Sequence, residues 1–352
     1  MSKLPEPLFQ NTMWNQEQNS IWLGTILSLY RNFSLYKFPE KMTTAEMTGS
    51  LKAMTETFQK IPSLQSLQFL PANDLSLLDK EFLYEHFLCT QSLQETRTGQ
   101  GFAFDSQNRF LTLHFHNHLQ FNQMETSEDL VSAWKPLLKI DEELGRLQPY
   151  AFSPRFGYLT ASPLTCGTAL EARLLLHIPA LRHTGALGEL LRKLGDEQIL
   201  FLSLEGELDD LVGDILILKN HYTLGVTEEA TLSLLQAAAL KLVLAEKEAR
   251  TALKSKPSAE LKDFVGRSFG LLTHSYQLHS KEALDGLSGL VLGAELGWIS
   301  GVSPQKLRTL MLEQRRGHLS RLLGITSTDP QELSHKRAEW LHQQLKGITM
   351  TD

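Results

Sequence analysis

The chain has 352 residues, enough for about two domains with apolar cores of their own. It is 42% hydrophobic and 21% charged with a formal net charge of −6, so bulk electrostatics give no case for nucleic acid or an anionic membrane surface. No apolar run approaches the roughly 18–20 residues that span a bilayer, and the N-terminus shows no signal-peptide pattern. The two cysteines, Cys89 and Cys166, form no CxxC pair and read as small buried thiols in a reducing cytoplasm.

Residues 1–20 are polar, with Pro5, Pro7 and the Asn/Gln cluster from Asn15 to Asn19, which predicts a loosely held tail. Ile21 to Tyr30 predicts a strand. Thr43 to Lys60 predicts a helix that opens on a Thr43/Glu46 capping box. A second helix is expected over Leu75 to Phe87, started by Asn73 or Asp74. Gly101 to Gln120 alternates apolar and polar residues in two halves around Asp105-Ser106-Gln107-Asn108, the pattern of a β-hairpin. Thr126 to Leu147 is a long amphipathic pattern capped by Thr126 or Ser127, and Pro136 within it predicts a kink or a break.

Phe156 to Thr168 is a loop punctuated by Pro163 and Gly167 between two β-compatible segments, a plausible site wall. A strand through Leu174–Ile178 and a helix from Thr184 to Leu194, ended by Gly195, follow it. Ile199–Leu204 and Asp214–Leu218 are strand-like, and Thr227 to Leu253 is a long helix. Short turns between strands favour antiparallel pairing, so the fold class is α+β, an antiparallel sheet flanked by helices. Lys254 to Ser258 makes the best boundary, which divides the chain into a 21–253 domain and a 254–352 domain. The second is a small all-helical domain, interrupted at Gly301 to Pro304 and Gly324 to Pro330.

The loop carries a resemblance. ATP:guanido phosphotransferases have a segment of the form GYLT-[AS]-CPTN-x-GT. Gly157-Tyr158-Leu159-Thr160 and Gly167-Thr168 fit it, with Ser162 at the Cys position and Thr165 at the Asn position. With the helical domain behind it, the order of segments resembles the bacterial protein-arginine kinases (McsB type). Arg267 to Leu272, Ser280 to Ala283 and Leu287 to Gly297 also read like that family's sequence. The implied fold is a guanido-kinase-like antiparallel sheet with a helical C-terminal domain.

The resemblance also assigns roles by position. Against SSRIRLARN, Leu29, Arg31 and Asn32 match, while the two phosphate-binding arginines are Ile26 and Ser28. Against NEEDHLRI, His118 and Leu119 match, the first catalytic carboxylate is His116, and the arginine is Gln120. Against GTGLR, the arginine is Glu171. Against VRGLYGEG, the arginine is Leu202 and the second catalytic carboxylate is retained as Glu207. The family's phosphoarginine-holding RDxxRA motif survives only as Arg337-Ala338.

Phosphoryl transfer needs position and positive charge around the phosphates, and guanidinium forks supply both. Each charge-assisted hydrogen bond contributes on the order of 1.5–3 kcal/mol, so losing all five arginines would remove most ATP affinity. Ser162 cannot offer a thiolate. The sequence therefore reads as a catalytically degenerate relative, a pseudokinase that acts by binding protein and needs no cofactor. The resemblance implies a homodimer, a zinc-finger activator protein and a Clp-type chaperone as partners. Two alternatives stand beside it. One is an active phosphotransferase using ATP and Mg with a site rebuilt on Glu207. The other is a metal-binding protein, since His114, His116 and His118 alternate and a strand would put them on one face. Cys166 as a displaced nucleophile, the acidic run Glu205, Glu207, Asp209, Asp210 and Asp214 as a cation site, and the basic set Lys306, Arg308, Arg315, Arg316 and Arg321 as an anion surface are weighed against a buried thiol, a solvated turn and a solvated face.

Overall fold

A computed structural model describes residues 4, 20–89, 95–105, 109–195, 197–206, 208, 211–327 and 329–351. The expected tail thus lies outside the described residues except for Leu4 and Ser20, as do Glu207, Asp209 and Asp210.

The first part of the chain runs β1 (Trp22–Arg31), α1 (Thr44–Phe58), β2 (Gln68–Pro71), α2 (Leu77–Glu85), β3 (Gly101–Phe104), β4 (Arg109–Leu113), β5 (Leu119–Glu125) and α3 (Leu130–Leu147). It continues through β6 (Phe152–Ser153), β7 (Gly157–Tyr158), β8 (Leu170–His177), α4 (Pro179–His183), α5 (Leu187–Leu194), β9 (Ile199–Leu202), β10 (Ile215–Asn220) and α6 (Glu228–Ser255). The C-terminal helices are α7 (Ala259–His274), α8 (Ser280–Leu296), α9 (Pro304–Glu313), α10 (Arg316–Leu323) and α11 (Pro330–Gln344), with a small strand pair β11 (Ile299–Ser300) and β12 (Thr349–Met350).

Eight strands form one sheet in the order β2-β3-β4-β5-β1-β8-β10-β9, and every pairing is antiparallel. This is the expected α+β class. One face carries Leu27, Leu29, Leu111, Phe121, Ala172, Leu174 and Leu218. It packs under α1, α3 and α6 through Phe58, Trp134, Leu137, Leu235 and Leu242, all buried. The other face carries Ile26, Phe110, Met124, Leu175 and Ile217. Those side chains join Phe82, Leu83, Leu88 and Cys89 and then Leu284, Leu287, Met311 and Leu319 of the C-terminal helices in a single apolar cluster. The C-terminal helices therefore complete the sheet's second core layer.

Charged groups fasten that layer. Glu85 at the end of α2 accepts hydrogen bonds from the Gly317 and His318 amides, at 3.1 and 3.2 Å, and from His318 Nδ1 at 2.8 Å. A carboxylate at the N-terminus of α10 is favoured by the helix dipole as well. Asp214 accepts from the Ser288 hydroxyl and from Arg182 Nη1 at 2.8 Å.

Several local expectations need correction. α2 starts later because Ser76 caps it reciprocally with Asp79, while Asn73 and Asp74 lie in a preceding 3-10 turn. Asp129 caps α3, in place of Thr126 or Ser127, and the helix runs unbroken through Pro136. The helix expected from Thr184 to Leu194 starts later, at Leu187, as α5, because Thr184 closes a separate short helix, α4, begun by Pro179. Asp214 is buried and bonded between layers, so it belongs to no solvated acidic turn. The basic set is likewise no free face: Arg308 pairs with Glu295 at 3.3 Å and Arg316 with Glu81 at 3.3 Å, and Arg315 donates to the Glu85 carbonyl. Cys89 is buried, whereas Cys166 is only half-buried. Among the described residues no helix is long and apolar enough to cross a membrane.

Candidate functional site

Alternation along a strand places residues two apart on one face. On β1 that sets Ile26, Ser28 and Tyr30 together. The register then brings their neighbours beside them. Ser28 pairs with Asn122 on β5 and with Glu171 on β8, and Tyr30 pairs with Gln120. Ile26 pairs with Arg173 on β8, Arg173 with Lys219 on β10, and Ile217 with Leu202 on β9. Ile26, Ser28, Gln120, Glu171 and Leu202, drawn from four strands, thus share one face of the sheet.

What that face holds is not a cluster of free cations. Ile26 and Ser28 are both at 0% exposure. Ile26 is part of the apolar cluster, and the Ser28 hydroxyl donates to Asn122 Oδ1 at 2.7 Å. Asn122 in turn donates to the Leu88 carbonyl at 3.3 Å, so the chain after α2 closes over this end of the face. Glu171 sits between two cations, with Lys219 Nζ at 2.6 Å and Arg173 Nε at 3.4 Å. Burial pushes the Tyr30 phenol well above its usual range, and the Glu171 charge adds to the shift. Neither Arg173 nor Lys219 was singled out in the sequence. The available signal was Arg173, two positions after Glu171 and so on the same face of the same strand.

The open end of the face is a cavity of about 230 Å³, lined by Tyr30, Glu40, Thr112, His116, Asn117, Gln120, Ser162 and Thr165. The Phe156–Thr168 loop forms its wall, as expected. Asn117 Oδ1 accepts from the Ala161 amide at 2.8 Å and from Asn32 Nδ2 at 2.7 Å, and Asn32 also donates to the Leu159 carbonyl. Thr160 and Thr165 share a hydroxyl contact at 2.8 Å. Gly167 has φ +112, and a Cβ there would lie 2.0 Å from the Thr223 carbonyl oxygen, so only glycine lets the loop dock. Ser162 is exposed at the rim, and Cys166 contacts Thr160 and the Ser162 carbonyl within the loop.

The histidines do not form the expected face. β4 ends at Leu113, and His114 has φ 59 in the connection to β5. Strand alternation therefore does not apply to the three. His114 bonds Ser50 Oγ and the Gly99 carbonyl, both at 2.9 Å, so its two ring nitrogens are committed. His116 points outward toward Glu40 at 3.8 Å. Among the described residues no group of three His, Cys, Asp or Glu side chains is placed to hold a metal ion.

His118 has a fixed tautomer. Its Nδ1 accepts from the Phe33 amide at 3.0 Å, so its proton is on Nε2, which donates to the Lys37 carbonyl at 2.8 Å. Burial lowers its pKa from 6.5 to about 4. The unfolded chain therefore takes up a proton in this window and the folded chain does not. Stability is fully present above pH 6.5 and is lost on the order of 3 kcal/mol as the pH falls toward 4. His118→Gln keeps an acceptor and a donor without the titration. Its thermal midpoint is expected to fall less than the native one between about pH 7 and pH 4.5. Equal slopes for the two proteins would remove His118 as the cause.

Arg337 is buried, with Nε donating to the Gln314 carbonyl and Nη1 to the Leu278 carbonyl, both at 2.8 Å. It lines a cavity of about 320 Å³ between α2 and the C-terminal helices, together with Glu81, Glu85, Arg315 and Arg316. Burial lowers its pKa to about 10.

Comparison with known proteins follows this architecture. A family model described as ATP:guanido phosphotransferase, C-terminal catalytic domain, matches residues 50–249. One described as Protein-arginine kinase McsB C-terminal domain matches residues 258–352. The chain is 34% identical over 356 residues to a protein-arginine kinase of Chlamydia pneumoniae, with 98% of each covered. It is 29% identical over 341 residues to the protein-arginine kinase of Bacillus subtilis (strain 168), covering 95% of this chain and 94% of that one. Among solved structures, lombricine kinase aligns with a TM-score of 0.56 at 17% identity, over 71% of this chain and 73% of that one. The duplicated taurocyamine kinase of Schistosoma mansoni, with bound transition-state-analogue components, aligns with a TM-score of 0.58 at 20% identity, over 79% of this chain and 40% of that one. At those identities the two structures speak for the fold alone.

Proposed function

This chain belongs to the ATP:guanido phosphotransferase family, in its protein-arginine kinase branch, and from that premise we propose that it is a catalytically degenerate member that acts by binding protein. One observation carries the reading. The five positions that the resemblance assigns to phosphate-binding arginines share one face of the sheet, and that face offers a triphosphate no free cation among the described residues. Two of the five are sealed in the interior, and the two cations nearby are held by Glu171. These residues do not fit ATP with its Mg ion, so no cofactor is assigned. Glu207, the retained carboxylate position, lies outside the described residues. His116 and Ser162, at the other two catalytic positions, face the cavity without a carboxylate or a thiolate to offer.

As partners we assign a second copy of the chain, a zinc-finger activator and a Clp-type chaperone, in a cytoplasmic setting, with 21–253 and 254–352 as the two domains. Arg337 is the remnant of a phosphoarginine pocket. Its two carbonyl bonds and the adjoining Glu81 and Glu85 argue for a fastening role. A second reading, an active protein-arginine phosphotransferase with a reorganised site, draws on likeness over 98% of the chain to a relative named as a kinase.

A thermal-shift titration with MgATP and a protein-arginine phosphorylation assay on casein separate the two readings. No shift and no phosphoarginine is the expected result. Micromolar MgATP binding, or phosphorylation of arginine, would overturn the pseudokinase reading.

A further inference from the structure

We infer that the sheet carries a relocated anion site, formed by Arg173 and Lys219 and held shut by the Glu171 carboxylate, whose external ligand is a phosphate group. The inference deepens the reading above, since it concerns the same face, and it requires no chemistry there.

Register pairs Arg173 with Ile26 on one side and with Lys219 on the other. Paired side chains on neighbouring strands lie within reach of one another, at roughly 5 Å between Cβ atoms. Position 26 is one that the resemblance gives to a phosphate-binding arginine. A guanidinium thus stands one strand across from that position on the same face, with an ammonium beside it.

Glu171 occupies the place of an anion between them. Its Oε2 is 2.6 Å from Lys219 Nζ and its Oε1 is 3.4 Å from Arg173 Nε. The fit is incomplete, because Arg173 Nε is buried without a hydrogen bond from any of the described residues. A planar carboxylate offers two oxygens. A tetrahedral phosphate offers three or more and meets the arginine fork in pairs. Among the described residues, two cations face this one carboxylate. The Tyr30 phenol shares the face and stays neutral, so it adds no opposing charge. The three charged side chains keep 19%, 28% and 11% of their surface for Arg173, Lys219 and Glu171, so the cluster is reachable from solvent.

Isothermal titration with inorganic phosphate at fixed ionic strength tests the site. Glu171→Gln removes the internal anion while keeping the side chain's shape. It is expected to bind phosphate about ten-fold or more tighter than the native protein, the factor that one charge-assisted hydrogen bond supplies. Adding Arg173→Met or Lys219→Met is expected to abolish the gain. Parallel titrations with AMP and O-phosphoserine name the source of the phosphate, and a gain with either supports the site. No gain in Glu171→Gln, or a gain that survives loss of Arg173 and Lys219, overturns it. Should Glu171→Gln fail to fold, the native thermal midpoint in phosphate against chloride serves instead. It is expected to rise with phosphate, and Lys219→Met is expected to remove the rise; no rise, or one that persists, overturns the site. MgATP binding by the native chain would sink the pseudokinase reading and leave this site standing, whereas absent phosphate binding would sink this site alone.

Discussion

Ile26→Arg, which restores the residue that the family resemblance places at this position, is expected to destabilise the protein by about 4 kcal/mol or more and to recover no nucleotide binding. Position 26 is at 0% exposure in an apolar cluster with Met124, Leu175 and Ile217. A guanidinium there would be taken out of water with no carboxylate paired to it, and a buried unpaired charge is among the costliest substitutions known. Its cross-strand partner is Arg173, so the new charge would also face a like charge. The measurement is the thermal midpoint with and without MgATP. A variant as stable as the native protein, stabilised further by MgATP, would show that the face is open and the arginine missing for some other reason. The point separates two kinds of loss. A site that had lost only its ligands could be repaired at its ligands. Here the interior has closed around the change.

The sheet was legible because its strands announce themselves twice, by period-two alternation and by turn residues between them. Once β1 is a strand, positions 26, 28 and 30 must share a face. Which strands lie beside it is another matter. The order β5-β1-β8-β10 joins residues far apart in the chain, such as Thr25 with Glu125, Trp22 with Leu176 and Arg173 with Lys219, and no local pattern fixes that register. For this reason the sequence does not bring Arg173 and Lys219 together, although each is visible as a charge next to the apolar residues of its strand. The histidines show the opposite failure. Alternation over 114–118 is real in the sequence, yet the strand stops at Leu113, and His114 takes a left-handed conformation in a connection that alternation cannot distinguish from a strand. Caps failed for a related reason. Asn73, Asp74 and Ser76 are all good N-caps by type, and only Ser76 has Asp79 three residues on to complete the pair. The basic residues of the C-terminal helices fit a solvated face in the sequence, because helical spacing says which side chains lie together and not what covers them. Their partners Glu81, Glu85 and Glu295 come from other elements.

Arg31→Ala is expected to lower stability by about 3–5 kcal/mol, and Asp141→Ala by a similar amount. Arg31 is 1% exposed and Asp141 3%. The guanidinium makes a two-pronged contact, Nε to Oδ1 at 2.9 Å and Nη2 to Oδ2 at 2.7 Å, between the end of β1 and the middle of α3. Its Nη1 donates to the Tyr30 carbonyl at 2.9 Å and to the Thr168 carbonyl at 3.1 Å. The same group lies 3.5 Å from the centre of the Tyr158 ring, which adds a cation–π contact. One side chain therefore joins the sheet, a helix and both ends of the 157–168 loop. Removing it strands a buried carboxylate and frees the loop that forms the cavity wall. Charge alone does not explain the site, since Arg31→Lys keeps the charge but cannot present the fork. That variant is expected to recover only part of the loss. Denaturant unfolding of the two single variants and of Arg31→Ala/Asp141→Ala makes the test. If the pair is the unit, the double variant costs well under the sum of the singles. A double variant equal to that sum would mean that Arg31 works through Thr168 and Tyr158 and that its bond to Asp141 adds nothing to the fold.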